Sequence, residues 1–401
     1  MSAPEYTAPE SVSRLQQRAF IVGGVALLVS IFGAMRTPEL FYPSYLMSFL
    51  LVLGLTVGSL GLLMLQHLVS GHWGIIIRRS LESATRTLPL MVIAFLPIVL
   101  FGMHHLYAGH GDEKGWLNAP PSGEGALSDF QKTYLTANGF YTRAVIYFAV
   151  WLALMFIFNI LSKRQDANPE DRALRLRFKM LAGPGLILYV FMMTFASFDW
   201  VMSLSPHWAS TIYGFLFVAG QLISSMAFMI AVVVLLSRTE PFASVLQKRH
   251  LHDLGKLLLA FVMLWAYFDF SQLLIIWSGN QPEEISFYRT RLYGGWGVVA
   301  VIVLVFHFFV PFFLLLSQDV KRNAKVLPKI AMWLIFMRLV DLFWMTRPEF
   351  TSRALPTWLD IVLPIGLGGI WLGFFAFNLK QCPILPLGDP KLGEAIEHHE
   401  Y

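Results

Sequence analysis

Ten stretches of the chain are continuously apolar: 19–35, 45–69, 88–107, 140–161, 178–204, 212–236, 254–277, 292–316, 326–345 and 358–379. Each is long enough for a helix to cross a hydrocarbon core of ~30 Å. The runs do not alternate between apolar and polar residues, so they predict helices rather than barrel strands. In lipid the backbone has only those two solutions. The expected fold is an all-α polytopic membrane protein with about ten transmembrane helices, built as two four-helix bundles plus flanking helices. The expected helical domain is 19–379, with tails at 1–18 and 380–401 and one long polar loop at 108–139. The fifth and seventh runs each hold an acid between aromatics, Phe198-Asp199-Trp200 and Phe268-Asp269-Phe270. This echo fits two similar bundles but does not establish a duplication.

Composition agrees with a membrane solvent. The chain is 56% hydrophobic and only 14% charged, whereas a soluble domain is nearer one quarter charged. Aromatics make up 15% and gather near the ends of the runs, where an interfacial belt needs them. A net charge of +5 does not argue for nucleic acid, because no binding motif accompanies it. Most of the 30 lysines and arginines fall in the loops on one side, including Arg78, Arg79, Arg86 and the cluster at 163–177. That side also holds both ends of the chain. The positive-inside rule puts it in the cytoplasm. Loop 108–139 then faces outward, either touching something beyond the membrane or serving as a solvated connector. The single cysteine, Cys382, reads as an inert thiol. One cysteine excludes an intrachain disulfide and any site made of cysteines alone.

The acids inside the runs are the best clue to chemistry. A carboxylate at membrane depth is costly and is usually retained to move protons or meet a polar ligand. Asp199 lies near the outer end of its run. Asp269 lies deeper, three residues before Gln272, so the two share a helix face. For both acids the bland reading is a structural hydrogen bond between helices. Arg338 and Asp341, also three apart, read first as a neutralising ion pair and second as a relay. His104 and His105 close the third run as interfacial anchors or proton carriers. His307 sits mid-run among apolar neighbours and needs a partner; it reads as a satisfied core residue, a proton carrier or a haem ligand. His67, near the inner end of the second run, either extends a path inward or marks the interface. Gln221 reads as a helix–helix contact or a partner for water or a quinone carbonyl. Together these residues suggest two wet half-paths.

Several longer strings are more specific. Phe198-Asp199-Trp200-Val201-Met202-Ser203-Leu204 with Pro206-His207-Trp208-Ala209-Ser210-Thr211 resembles the polysulfide-reductase NrfD family, and within it the large membrane subunits of alternative complex III. Trp265 to Gln272 followed by Ile276 to Glu284 is similar to the same proteins. So is Lys132-Thr133-Tyr134-Leu135 with Phe140, Arg143 and Tyr147. Ten spans and 401 residues resemble the shorter, ActF-type paralogue. The resemblance implies a respiratory assembly that oxidises quinol. Its electrons pass through an iron–sulfur subunit and multihaem cytochrome c subunits to a cytochrome c or copper protein. The implied neighbours are the paralogous ActC-type membrane subunit, other membrane anchors, lipids and a terminal oxidase. Asp199 and Asp269 fall on the family's polar strings and are carried over as proton-path residues.

The expectation is therefore a subunit of an electron-transfer complex that binds no haem or iron–sulfur cluster of its own. Its roles would be proton conduction, scaffolding and a wall for menaquinone or another quinone. The sequence does not assign the quinone-binding residues. A proton-coupled secondary transporter remains an alternative: Gly183-Pro184-Gly185 and Pro311 could break helices as transporters do. A haem-b cytochrome is another, in which paired histidines would hold the haem.

Overall fold

A computed structural model describes residues 6–110, 113–123, 125–169, 171–240, 242–389 and 392–393. The residues of the two expected tails at 1–5 and 394–401 lie outside that set. Ten long helices run in the order α1 (Glu10–Arg36), α2 (Pro38–Val69), α3 (Trp73–Tyr107), α4 (Ala137–Ala167), α5 (Arg172–Trp200), α6 (Tyr213–Leu236), α7 (Lys248–Gly279), α8 (Trp296–Leu316), α9 (Leu327–Thr346) and α10 (Leu359–Leu379). Nine of them, among the described residues, are long and apolar enough to cross a membrane. The other is α9, whose 20 residues include Lys329, Arg338 and Asp341. It stays inside the fold because its ion pair is satisfied there.

Helices α2 to α5 form one bundle and α6 to α9 the other. They meet along α2 and α6, while α10 lies against α2 and carries α1 on its far side. The most apolar stretch of α2 is wholly buried in the protein; the corresponding stretches of α1 and α8 are 22% buried. The rest of their surface, including Ile21, Leu28, Val298 and Val301, faces outward. Close approach explains the glycines at two seams. A Cβ on Gly58 of α2 would lie 2.5 Å from the Gln221 carbonyl oxygen of α6. A Cβ on Gly23 of α1 would lie 2.6 Å from the Ile370 backbone nitrogen of α10. Without a hydrophobic drive between helices in lipid, such small-residue seams let backbones pack by van der Waals contact.

Two helices are not regular. α3 is interrupted at Arg86-Thr87 and has a π-turn at Ile98–Gly102. α8 has a π-turn at Leu304–Phe309, just before Pro311. Proline has no N–H to give its helix and its ring crowds the preceding turn, which a wider local winding relieves. The expected break at Gly183-Pro184-Gly185 does not occur, because α5 is continuous through it.

The third helix also begins earlier than expected. Arg78 and Arg79 lie inside α3, 1% and 2% exposed, rather than in a loop. Arg78 bonds Glu82 at 3.0 Å and Asp389 at 2.9 Å. Arg79 bonds Glu82 at 2.7 Å and pairs with Asp166. Compensation by those acids is what lets two arginines enter a buried helix. Similarly, the first helix starts at Glu10 and not at 19.

The ten helices return the chain to its starting face. The N–H of Ile384 donates to the Tyr6 carbonyl at 2.8 Å, so the two terminal segments meet there. On the other face, loop 108–139 is folded. It contains a short hairpin (Gly109–His110 with Glu113–Lys114) and a helix at Asp129–Tyr134 capped by Ser128. Gln131 donates to the Pro206 carbonyl at 2.6 Å, which pins the loop across the end of α5. It is therefore more than a solvated connector.

Candidate functional site

Asp199 closes α5 on the face opposite the termini and is 1% exposed. Arg143, one turn into α4, grips it with two bonds: Nε to Oδ2 at 2.8 Å and Nη2 to Oδ1 at 2.9 Å. Tyr147, one turn further along the same face of α4, donates to Oδ2 at 2.6 Å. Arg143 also donates to the Tyr134 carbonyl at 2.9 Å and stacks over its ring at 3.8 Å. The Tyr134 hydroxyl is buried beside the carboxylate but makes no hydrogen bond of normal geometry. Burial, and secondarily the Asp199 charge, push that phenol up to about 12. Tyr134 stays protonated at neutral pH, with its hydroxyl beside Asp199 and Tyr147.

A groove of about 390 Å³ opens beside this ion pair, between the Asp129–Tyr134 helix, the outer end of α5 and the connection 202–211 that follows it. Phe195, Phe198, Met202 and Trp208 give it apolar walls, and Tyr134 and Ser210 supply polar points. Its size and lining suit a flat organic ring with polar substituents. From the groove, the Ser210 hydroxyl donates to Gln272 Oε1 at 3.2 Å. Gln272 lies on α7, one turn from Asp269.

Asp269 is half-buried and forms no ion pair or hydrogen bond with another described residue. Tyr288 and Asp341 lie within its electrostatic reach. Asp341 and Arg338 of α9 form the expected buried ion pair. The Arg338 guanidinium rests against Gly220 of α6, where any side chain would collide with it, and lies 5.5 Å from the Phe217 ring. His307 is 0% exposed in the π-turn of α8. Its ring meets Trp265 edge-on at 4.5 Å, and neither ring nitrogen has a hydrogen-bond partner. Asp269, Asp341, Arg338 and His307 thus all lie in the α6–α9 bundle.

The remaining histidines do not join them. His104 is exposed at the outer end of α3, and half-buried His105 stacks on Tyr42 at 5.0 Å. Neither points into the bundle polar groups, because the α3 face that turns inward there carries Met103, Leu106 and Tyr107 instead. His67 lies at the inner end of α2, stacked on Phe178 at 4.1 Å. Gln221 bridges helices: it accepts from the Tyr189 hydroxyl at 3.0 Å and donates to Met193 Sδ at 2.9 Å. Cys382 accepts from Arg86 at 2.8 Å.

Residue-by-residue reading missed the counter-ion of Asp199. Arg143 and Tyr147 stand i, i+4 near a helix start, which puts a cation and a phenol on one face. It also missed the Arg78–Glu82–Asp166–Asp389 network and two outer pairs, Arg291–Glu349 at 2.8 Å and Arg347–Asp360 at 3.5 Å. Among the described residues no group of histidine, cysteine, aspartate and glutamate is placed to hold a metal ion. No protein-family model matches the chain, and comparison with characterised proteins returns no relative.

Proposed function

We propose that this multi-pass membrane protein is a subunit of a bacterial respiratory complex that oxidises quinol, of the alternative complex III type. In this reading it lies in the inner membrane with both termini cytoplasmic, as its basic loops favour. Electrons travel through its partners: the ActC-type paralogue, an iron–sulfur subunit and multihaem cytochromes. The observation that carries the reading is the convergence on Asp199. Tyr134, Arg143 and Tyr147 come from strings that resemble one family, and they meet the Asp-Trp-Val-Met-Ser-Leu acid of that family in one buried ion pair.

The groove beside that pair suits a quinone headgroup. Tyr134 brings a protonated hydroxyl to the groove wall, and the aromatic walls would hold the ring. A bound quinol supplies two electrons and two protons. In this chain Tyr134 would orient the headgroup, Phe198 and Trp208 would exclude water, and the Ser210–Gln272 contact would lead toward Asp269. The two acids then have different duties. Asp199 is held by two guanidinium bonds and anchors the site. Asp269 has no such partner and can take and release a proton without breaking an ion pair.

The test is quinol turnover and proton yield in the reconstituted complex. Asp269→Asn keeps the shape and removes the titratable group. It should leave assembly intact while lowering turnover or proton yield on the order of tenfold or more. Unchanged values in Asp269→Asn, and again in Asp269→Asn/Asp341→Asn, would reduce the α6–α9 cluster to structural bonding. The π-turn at buried His307 favours a second reading, a proton-coupled transporter, since such turns often mark functional sites. Purification of the chain without any haem or iron–sulfur subunit would favour that reading over the first.

A further inference from the structure

A second cavity, of about 530 Å³, lies at the inner ends of α2, α3 and α5, far from the Asp199 groove. Its charged lining is unbalanced. Arg78 is already paired with Glu82 and with Asp389, the one acid in the wall. Arg175 and Lys179 stand one turn apart on α5, and neither forms an ion pair with another described residue. Two cations therefore face the cavity without a counter-charge among the described residues.

The back wall is polar and unsatisfied as well. Gln66 is 4% exposed and His67 7% exposed. Gln66 and His67 line the cavity, and Gln66 Oε1 and His67 Nε2 are buried without a hydrogen-bond partner among the described residues. The His67 ring is fixed by its stacking on Phe178, 9° from parallel. Leaving such atoms dry is costly, so the site is built to receive polar groups.

The cavity opens on the lipid-facing side of the molecule. Leu176 lines it and is 64% exposed, and Met180 on the next turn is 73% exposed. Above them Ile187 and Phe191 continue the same outward apolar strip along α5. An occupant with a charged head and long apolar tails would meet the cations, the buried polar wall and this strip at once.

We propose that this cavity is a binding site for the phosphate headgroup of an anionic glycerophospholipid of the phosphatidylglycerol class. The phosphate oxygens accept from Arg175 and Lys179. The glycerol hydroxyls donate to Gln66 Oε1, a demand that a choline head cannot meet. The acyl chains lie along Leu176 and Met180. The assignment does not depend on the electron-transfer reading and holds for the chain in any assembly.

The test is native mass spectrometry of the full chain purified in mild detergent, titrated with phosphatidylglycerol, phosphatidylcholine or inorganic phosphate. The wild type should retain phosphatidylglycerol over phosphatidylcholine, and millimolar phosphate should not displace it. Arg175→Gln/Lys179→Gln should weaken retention on the order of tenfold. Both substituted residues are exposed, so elution and thermal unfolding should match the wild type. Lys248→Gln/Lys325→Gln, which removes two cations from a separate cavity on the same face, should retain lipid normally. Equal retention of both lipids, or equal loss in the two double variants, would overturn the site in favour of general attraction by a basic face. Displacement by phosphate would overturn the lipid in favour of a soluble phosphate ligand.

Discussion

Asp199 and Asp269 looked alike as sequence, each an acid between aromatics, but their surroundings set them apart. Removing one member of a buried ion pair leaves the other charge uncompensated. Asp199→Ala should therefore destabilise the protein by about 3 kcal/mol, near the low end because Arg143 keeps 19% of its side chain exposed. Thermal unfolding in detergent measures this, and Arg143→Gln in the same background should recover part of the loss. Asp269→Asn, with no ion pair to break, should unfold close to wild type. Tyr134 offers a pH test. Its folded pKa of about 12 stands above the ordinary 10.0. Its contribution to stability is thus complete below pH 10 and is lost as pH rises toward 12. Alkaline titration of Tyr134→Phe should lose one phenolate's worth of signal near pH 12 relative to wild type. The acids themselves were legible because apolar flanks make a carboxylate conspicuous. Arg143 was not, since an arginine near a helix start reads equally well as an interfacial anchor, and only tertiary structure brings it to residue 199.

Among the helices, the apolar runs located all ten, and even α9 was visible through its charges. Ends were read less well where polar residues are compensated from afar. Arg78 and Arg79 broke the apolar pattern of α3, while the acids that neutralise them lie at 82, 166 and 389. Glu82 lies one turn away on the same helix, but nothing local announced Asp166 or Asp389. The Gly-Pro-Gly in α5 suggested a break, but proline disturbs only its own turn, and the surrounding bundle holds the helix straight through. Packing between elements gives a further prediction. α1 rests on α10 through Gly23 against Gly369 and Ile370, and through Gly33 against Leu359. Gly23→Ile should wedge this seam open and free α1. The expected outcome is a lower unfolding temperature with faster proteolysis near the N-terminus, while the α2–α6 interface is unaffected. Gly24→Ile, where a side chain meets nothing within 4 Å, is the control and should behave as wild type.

For the molecule as a whole, the meeting of Tyr6 with Ile384 sets both terminal segments on one face. In the proposed orientation, the excess of Lys and Arg on that face places it in the cytoplasm. Tags at either end should then react only from the cytoplasmic side of oriented vesicles, and a protease site placed in loop 108–139 only from the other. Cleavage of that loop from the cytoplasmic side would invert the proposed orientation. The complete enclosure of α2 has a consequence for how the protein is made. α2 leaves the ribosome early, yet the shell that surrounds it includes α6 and α10, and α10 is synthesised last. Helices insert one at a time and associate afterwards, so α2 must wait in lipid, its small and polar positions uncovered, until the final helix docks. A chain cut short before α10 would leave that central helix open along one flank, a ready mark for the proteases that clear unfinished membrane proteins.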